Sequence, residues 1–245
     1  MNNNFNAEEI KKEMVAWIRN WFKKNARGDK AFVAISGGSD SVIATAMMVE
    51  ALGRDNVIGI ILPYGYSDDI ENGVKLVEFL DIEFHVVHIK KAYIVLEAEV
   101  REEVGPLTKG AAAIMQERAR MAAMSGIINS KNGVFVNTSN FSESWLGYYT
   151  NYGDISPFSK LTNTEVIAIG NTLGFPEGFV DDLPMDGLWG FMDEETLGFS
   201  YEELDDYIRN IKKPKLEAKK RMDYIREHSY LRRARVEAFP YGDDL

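Results

Sequence analysis

The sequence predicts an α/β protein built on a doubly wound parallel sheet, a three-layer, Rossmann-like arrangement with helices flanking the strands. Three observations carry this expectation. Short β-rich runs stand at residues 31–35, 57–62, 84–89 and 134–136. The segments between them have helical patterning, and strands alternating with helices imply parallel pairing. The first run also passes through two glycines directly into a helical segment, giving a strand, a glycine turn and a helix start.

Taken in order, residues 7–24 place Ile10, Met14, Trp17, Ile18 and Trp21 at helical spacing, so the chain opens on an amphipathic helix. After the first strand, Asp40 opens a helix that begins Ser41-Val42-Ile43-Ala44-Thr45-Ala46-Met47-Met48. The stretch 110–128 is helical and apolar on nearly every side (Ala111, Ile114, Met115, Ala119, Met124, Ile127), and such a helix must be buried inside the domain or against another subunit. Between 150 and 200 the periodicity weakens and Gly, Pro and aromatic residues accumulate. Long loops on a rigid sheet are where substrate is usually held. Residues 212–235 are basic within an acidic chain and contain helical runs. No repeat, low-complexity tract or second boundary interrupts the 245 residues, so a single domain over 1–245 is expected.

Composition removes several classes of function. No apolar run approaches a bilayer span, and Met1-Asn2-Asn3-Asn4 lacks the order of a signal peptide, which predicts a soluble cytoplasmic protein without a membrane partner. A net charge of −10 makes nucleic acid an unsuitable partner. The absence of cysteine excludes disulfides, thiolate-bound zinc and a cysteine nucleophile. His85, His88 and His228 form no metal-binding spacing.

The chemistry is concentrated in Ser36-Gly37-Gly38-Ser39-Asp40-Ser41, which follows Ala34 and Ile35 at the end of the first strand. Glycines let the backbone adopt positive φ and let a ligand approach closely, while a helix N-terminus offers free N–H groups and a positive dipole end. Three serine hydroxyls add donors, and Asp40, which would repel a phosphate directly, suits a bridging magnesium ion. The plainer alternative is a tight turn with an N-capping Ser or Asp. The loop lacks both the lysine of the P-loop and the third glycine of the dinucleotide fingerprint.

This loop resembles the SGGxDS motif of the N-type ATP pyrophosphatases, which cleave ATP between its α and β phosphates. GMP synthetase, asparagine synthetase and tRNA-modifying enzymes share that loop, and a catalytically weakened nucleotide-binding dimer would carry it too. Later segments point to one branch. Gln116-Glu117-Arg118-Ala119-Arg120-Met121 is similar to a QARxRM run, and residues 137–154 resemble GTxxxxE followed by GYxTxYGD. Leu161 with Thr164-Glu165-Val166, and 184–207 with Asp193-Glu194 and Leu197-Gly198-Phe199-Ser200-Tyr201, continue the match in family order. The chain thus resembles the NAD synthetase family, within the adenine nucleotide alpha hydrolase-like fold.

The resemblance implies an ATP-dependent ligase that amidates deamido-NAD with ammonia through an adenylated intermediate, releasing AMP and pyrophosphate. It makes Asp40 and Glu143 magnesium ligands. It places Ala34, Ile35, the loop residues Ser36 to Ser41, Thr138, Asn163 and Met185 around ATP. Arg118, Tyr148 and Asn151 would meet deamido-NAD, and Asp154 would help deprotonate ammonium while the stretch 185–195 closes over the adenylate. Arg118 and Arg120 in an apolar helix need an anionic partner, either ligand or internal carboxylate. The resemblance also implies a homodimer. Without the cysteine of a glutaminase domain, free ammonia, or ammonia from a separate partner, is the expected nitrogen source. Several positions depart from the family pattern: Asn163 replaces a lysine, Met185 a Ser or Thr, Asn151 a lysine and Ile114 an asparagine, while the C-terminal His-Lys pair has no clear counterpart beyond Arg232 or Arg233.

Overall fold

A computed structural model of the chain describes residues 5–65, 68–147, 152–176, 180 and 194–229. At its centre β1 (Ala31–Ile35), β2 (Val57–Ile61), β3 (Glu83–Val86) and β4 (Val134–Val136) form one sheet in the order β3-β2-β1-β4. All three pairings are parallel. Successive side chains of a strand point to opposite faces, and here both faces are covered. Val33 and Ile35 of β1 join Val57, Ile61, Val134 and Val136 in the larger core, whereas Phe32, Ile58 and Ile60 enter a second cluster on the other side.

The helices are α1 (Ala7–Asn25), α2 (Ser39–Leu52), α3 (Asp68–Leu80), α4 (Lys90–Val104), α5 (Lys109–Lys131), α6 (Phe141–Leu146), α7 (Asn163–Gly170), α8 (Glu194–Leu197), α9 (Tyr201–Ile208) and α10 (Leu216–His228). Helix α2 is the central one. It packs on the sheet and against α1 and α7, and every residue from Ser39 to Met48 is buried. The larger core also takes Met14, Ile18 and Phe22 from α1 and Leu76 and Val77 from α3. Helix α5 covers the opposite face through Met124, Ala119 and Ile127. A third cluster, Leu146, Leu197, Tyr201, Leu204, Met222 and Ile225, joins α6, α8, α9 and α10.

Three expectations need adjustment. Trp17, counted in the apolar stripe of the first helix, is 45% exposed. The third strand ends at Val86 rather than residue 89, although Val87 N still donates to Ile61 O and Ile89 N to Pro63 O. Pro63 has no N–H to return, so the ladder is one-sided there. Helix α5 is not buried within the chain. Arg120 and Met124 are its buried residues and Ile114 is 44% exposed, because only one face of the helix packs on the sheet, which leaves the expectation of burial against another subunit for the rest.

Candidate active site

The chain leaves β1 for β2 on one side, and β4 pairs with β1 on the other. The C-terminal ends of β1 and β4 therefore flank the switch point, where open parallel sheets hold ligands. The Ser36–Ser41 loop leaves the first of these ends and the 137–140 segment leaves the second.

The loop is braced by its own hydroxyls. Ser41 Oγ donates to Gly38 O at 2.9 Å and accepts from Ser36 N at 3.2 Å. With its single proton so used, Ser41 Oγ receives the Ser36 hydroxyl at 3.1 Å, and Ser36 Oγ accepts from Gly38 N at 3.3 Å. Gly37 sits at φ 89, a conformation that side-chain-bearing residues rarely adopt. Two of the three predicted hydroxyl donors thus hold the loop rather than face outward. Ser39 Oγ is buried without a hydrogen-bond partner among the described residues. The N-capping alternative does not describe this turn: the N-cap of α2 is Gly38, with no side-chain cap among the described residues. The first turn of a fourteen-residue helix is left with donors to offer. Ile35 is committed to the larger core, so the strand presents its backbone, and half-buried Ala34 lines the second cluster.

Asp40 lies on this first turn. Its Oδ2 accepts from Asn140 Nδ2 at 2.8 Å, and its buried Oδ1 has no hydrogen-bond partner among the described residues. Asn140 is also the N-cap of α6. Its Oδ1 accepts from Glu143 N at 2.9 Å, and its own N donates to Glu143 Oε2 at 3.1 Å, completing a capping box. One asparagine therefore touches both carboxylates assigned to magnesium. Burial raises Asp40 to about 7, the Asn140 hydrogen bond opposing this and the charge of Asp205 adding to it.

Asp205, on α9, orders the floor of the site. It accepts from Ser142 Oγ at 2.5 Å and from Thr164 N at 2.8 Å, and burial raises its pKa against these hydrogen bonds. Ser142 Oγ in turn accepts from Asn163 N at 3.1 Å. Asn163 is 1% exposed, and its Oδ1 has no hydrogen-bond partner among the described residues. Glu165 closes a second capping box on Thr162 and pairs with Arg209. Neither Asn140 nor Asp205 is among the residues expected from the sequence. The signal for Asn140 was present as an Asn three residues before Glu143, the pattern of a capping box.

Thr138 is half-buried, two residues beyond β4. A cavity of about 330 Å³ is lined by Asn137, Ser139, Asn140, Ser144, Tyr152 and Asp154, among others. Asp154 N donates to Phe135 O and Phe135 N to Asp154 Oδ2, each at 2.8 Å, so one oxygen of this carboxylate secures the segment to β4. Gly153, at φ 129, could not carry a Cβ there without meeting Asn137 at 2.9 Å. Arg118 pairs with Glu117 at 3.4 Å and lies 5.1 Å above the ring of Tyr152, reaching the cavity rim. Arg120 is buried and donates through Nε to Leu62 O. Burial lowers it to about 10, with Glu117 opposing. The anionic partner inside the chain is thus Glu117. Tyr148, Asn151, Met185, Arg232 and Arg233 lie outside the described residues, as does residue range 185–193. No group of three or more His, Asp or Glu side chains among the described residues is placed to hold a metal alone.

The NAD synthase family model matches residues 10–238. An NH(3)-dependent NAD(+) synthetase from Methanosarcina acetivorans is 35% identical over 214 residues, covering 83% of this chain and 82% of that one. The chain belongs to the NAD synthase family. Among solved structures, NMN synthetase from Francisella tularensis superposes with a TM-score of 0.86 at 26% identity, covering 97% of this chain and 100% of that one. An NH3-dependent NAD synthetase from Campylobacter jejuni has a TM-score of 0.76 at 20% identity, over 96% and 99% of the two chains, a likeness of fold. The expected fold, a parallel sheet between helices, is the one observed.

A magnesium nucleotide suits this NAD synthase site. Three buried polar atoms, Asp40 Oδ1, Ser39 Oγ and Asn163 Oδ1, lack protein partners among the described residues, and buried polar groups rarely remain so. A hard cation takes six or more oxygens, so a carboxylate pair leaves positions for phosphate and water oxygens.

Proposed function

We propose that this chain joins ammonia to the nicotinate carboxyl of deamido-NAD, consuming ATP and releasing AMP and pyrophosphate. The observation that carries the reading is the pair Asp40 and Glu143, both bonded to Asn140, beside an uncapped helix N-terminus at the switch point. The relatives named for ammonia-dependent NAD synthesis supply the acceptor.

In the first step a carboxylate oxygen of the acceptor attacks the α phosphorus of ATP. The bond from that phosphorus to the bridging oxygen breaks, and pyrophosphate leaves with its electron pair. Ammonia then attacks the acyl carbon, AMP leaves, and the nitrogen loses a proton to give the amide. No protein nucleophile takes part. The N–H groups at the start of α2 and the Ser39 hydroxyl bind the β and γ phosphates, already aligned because Ser36 and Ser41 hold the loop. Asp40 and Glu143 would hold magnesium, which supplies positive charge against the departing phosphate oxygens. Thr138 and Asn163 contact ATP, and Arg118 at the cavity rim binds the anionic acceptor. Asp154, on the cavity wall, takes the proton of ammonium.

The acceptor has a second reading. The structure described as NMN synthetase aligns over 97% of this chain and 100% of its own, and α5 exposes the apolar Ile114 one turn before Arg118. A mononucleotide bearing the same nicotinate carboxyl would then be the preferred acceptor. Pyrophosphate release measured with deamido-NAD, nicotinate mononucleotide, xanthosine monophosphate or no acceptor separates these. Release with deamido-NAD supports the proposal, a preference for the mononucleotide supports the second reading, and release with xanthosine monophosphate alone contradicts both.

A homodimer accompanies this function. Ile94, Val95 and Leu96 of α4, Ile114 of α5 and Phe84 of edge strand β3 are exposed apolar side chains. Light scattering at micromolar concentration is expected to report twice the chain mass. A monomer would refute the pairing.

A further inference from the structure

Asn140 is 1% exposed, and besides the helical bond its carbonyl accepts from Ser144 N it makes three hydrogen bonds, one through each of its side-chain polar atoms and one through its backbone N–H. Capping α6 does not require this residue type, since Asp and Ser cap a helix N-terminus as well as Asn does. What Asn adds is a donor beyond the acceptor. Its Oδ1 takes Glu143 N, and its Nδ2 is left for Asp40 Oδ2. A serine at the cap would be too short to reach Asp40, and an aspartate would set a third negative charge beside the pair.

We propose that Asn140 is the positioning residue for the cation site, holding Asp40 and Glu143 as one unit and turning Asp40 so that Oδ1 is the oxygen presented to the ligand. Asp40 is buried and Glu143 half-buried, and the Glu143 carboxylate is held by the Asn140 backbone N–H while the side-chain amide reaches Asp40 Oδ2 and Glu143 N. The neutral amide bonds to both residues, and the unpartnered state of Asp40 Oδ1 among the described residues follows from Oδ2 being engaged. This inference rests on the adenylating reading given above and adds a residue to it.

The test uses the full chain with Asn140→Ser, and Asn140→Thr as a second variant should the first fail to fold. Both retain a capping hydroxyl, and neither reaches Asp40. Manganese binding is measured by electron paramagnetic resonance in the presence of α,β-methylene-ATP, beside a thermal melt of the metal-free protein. Loss of an outer-shell partner typically weakens metal affinity by about 10–100-fold, and that loss is expected together with a lower melting midpoint, because buried Asp40 Oδ2 loses its donor. A purely structural cap would move the melt and leave the affinity alone. Wild-type affinity in a folded variant overturns the inference while the adenylating reading stands. Weakened binding in the variants, from a wild type that amidates no acceptor, upholds the inference and rejects the reading. A wild type that binds no manganese with the nucleotide rejects both.

Discussion

Asn140 Nδ2 donates to Asp40 Oδ2 at 2.8 Å, joining two residues 100 positions apart. The contact fastens the loop after β1 to the loop after β4 across the switch point, and through the capping box of α6 it extends to Glu143. The site is thereby assembled by backbone geometry at the ends of two neighbouring strands, with one amide as the link.

Asp40→Ala tests the cation site. Loss of the carboxylate leaves Asn140 Nδ2 without its acceptor, a cost of about 1–3 kcal/mol, but it also removes a buried charge, so the fold is expected to survive. Pyrophosphate release from ATP and deamido-NAD should fall by about two orders of magnitude or more. Circular dichroism of the variant verifies that the loss is chemical.

The raised pKa of Asp40 makes a signed prediction for the metal-free protein. Its folded value is about 7, against an ordinary carboxylate value of 3.8, with burial as the first cause. Between those values the folded state binds a proton that the unfolded state releases, so stability falls as pH rises and the loss is complete above about 7. Asp205 shifts in the same direction, also through burial. Urea denaturation at pH 5, 6, 7 and 8 should show wild type losing stability relative to Asp40→Asn, whose side chain does not titrate. Parallel curves for the two proteins would contradict the burial of a protonated Asp40.

Asp205→Ala probes the floor beneath the site. It leaves Ser142 Oγ and Thr164 N without their acceptor in a buried place, and the expected loss is about 2–4 kcal/mol. Urea unfolding measures it. Because Ser142 also receives Asn163 N, the variant should weaken nucleotide binding as well.

Much of this was legible in the chain. The runs at 31–35 and 134–136 are the observed β1 and β4, since strands buried on both faces are apolar and short. The glycine turn was legible because positive φ at Gly37 restricts the residue type. The roles within the loop were not, because the same serine can grip a ligand or brace its own turn, and only the distances from Ser41 to Gly38 and Ser36 separate the two. The long-range contacts of Asn140 and Asp205 were hidden for a different reason. Their partners, Asp40 and Thr164, lie 100 and 41 positions away, a separation that local periodicity does not encode. Within the chain α5 buries only one face, through Arg120 and Met124, and composition alone does not tell a face covered by the domain from one left for another subunit.

The most direct measurement of the central claim is phosphorus NMR of the products formed from ATP, ammonia and deamido-NAD by the wild-type protein. Adenylation at a site built on Asp40 and Glu143 predicts AMP and pyrophosphate in equal amounts, matched by amide product and lost in Asp40→Ala. ADP with inorganic phosphate, or full turnover in Asp40→Ala, would contradict it.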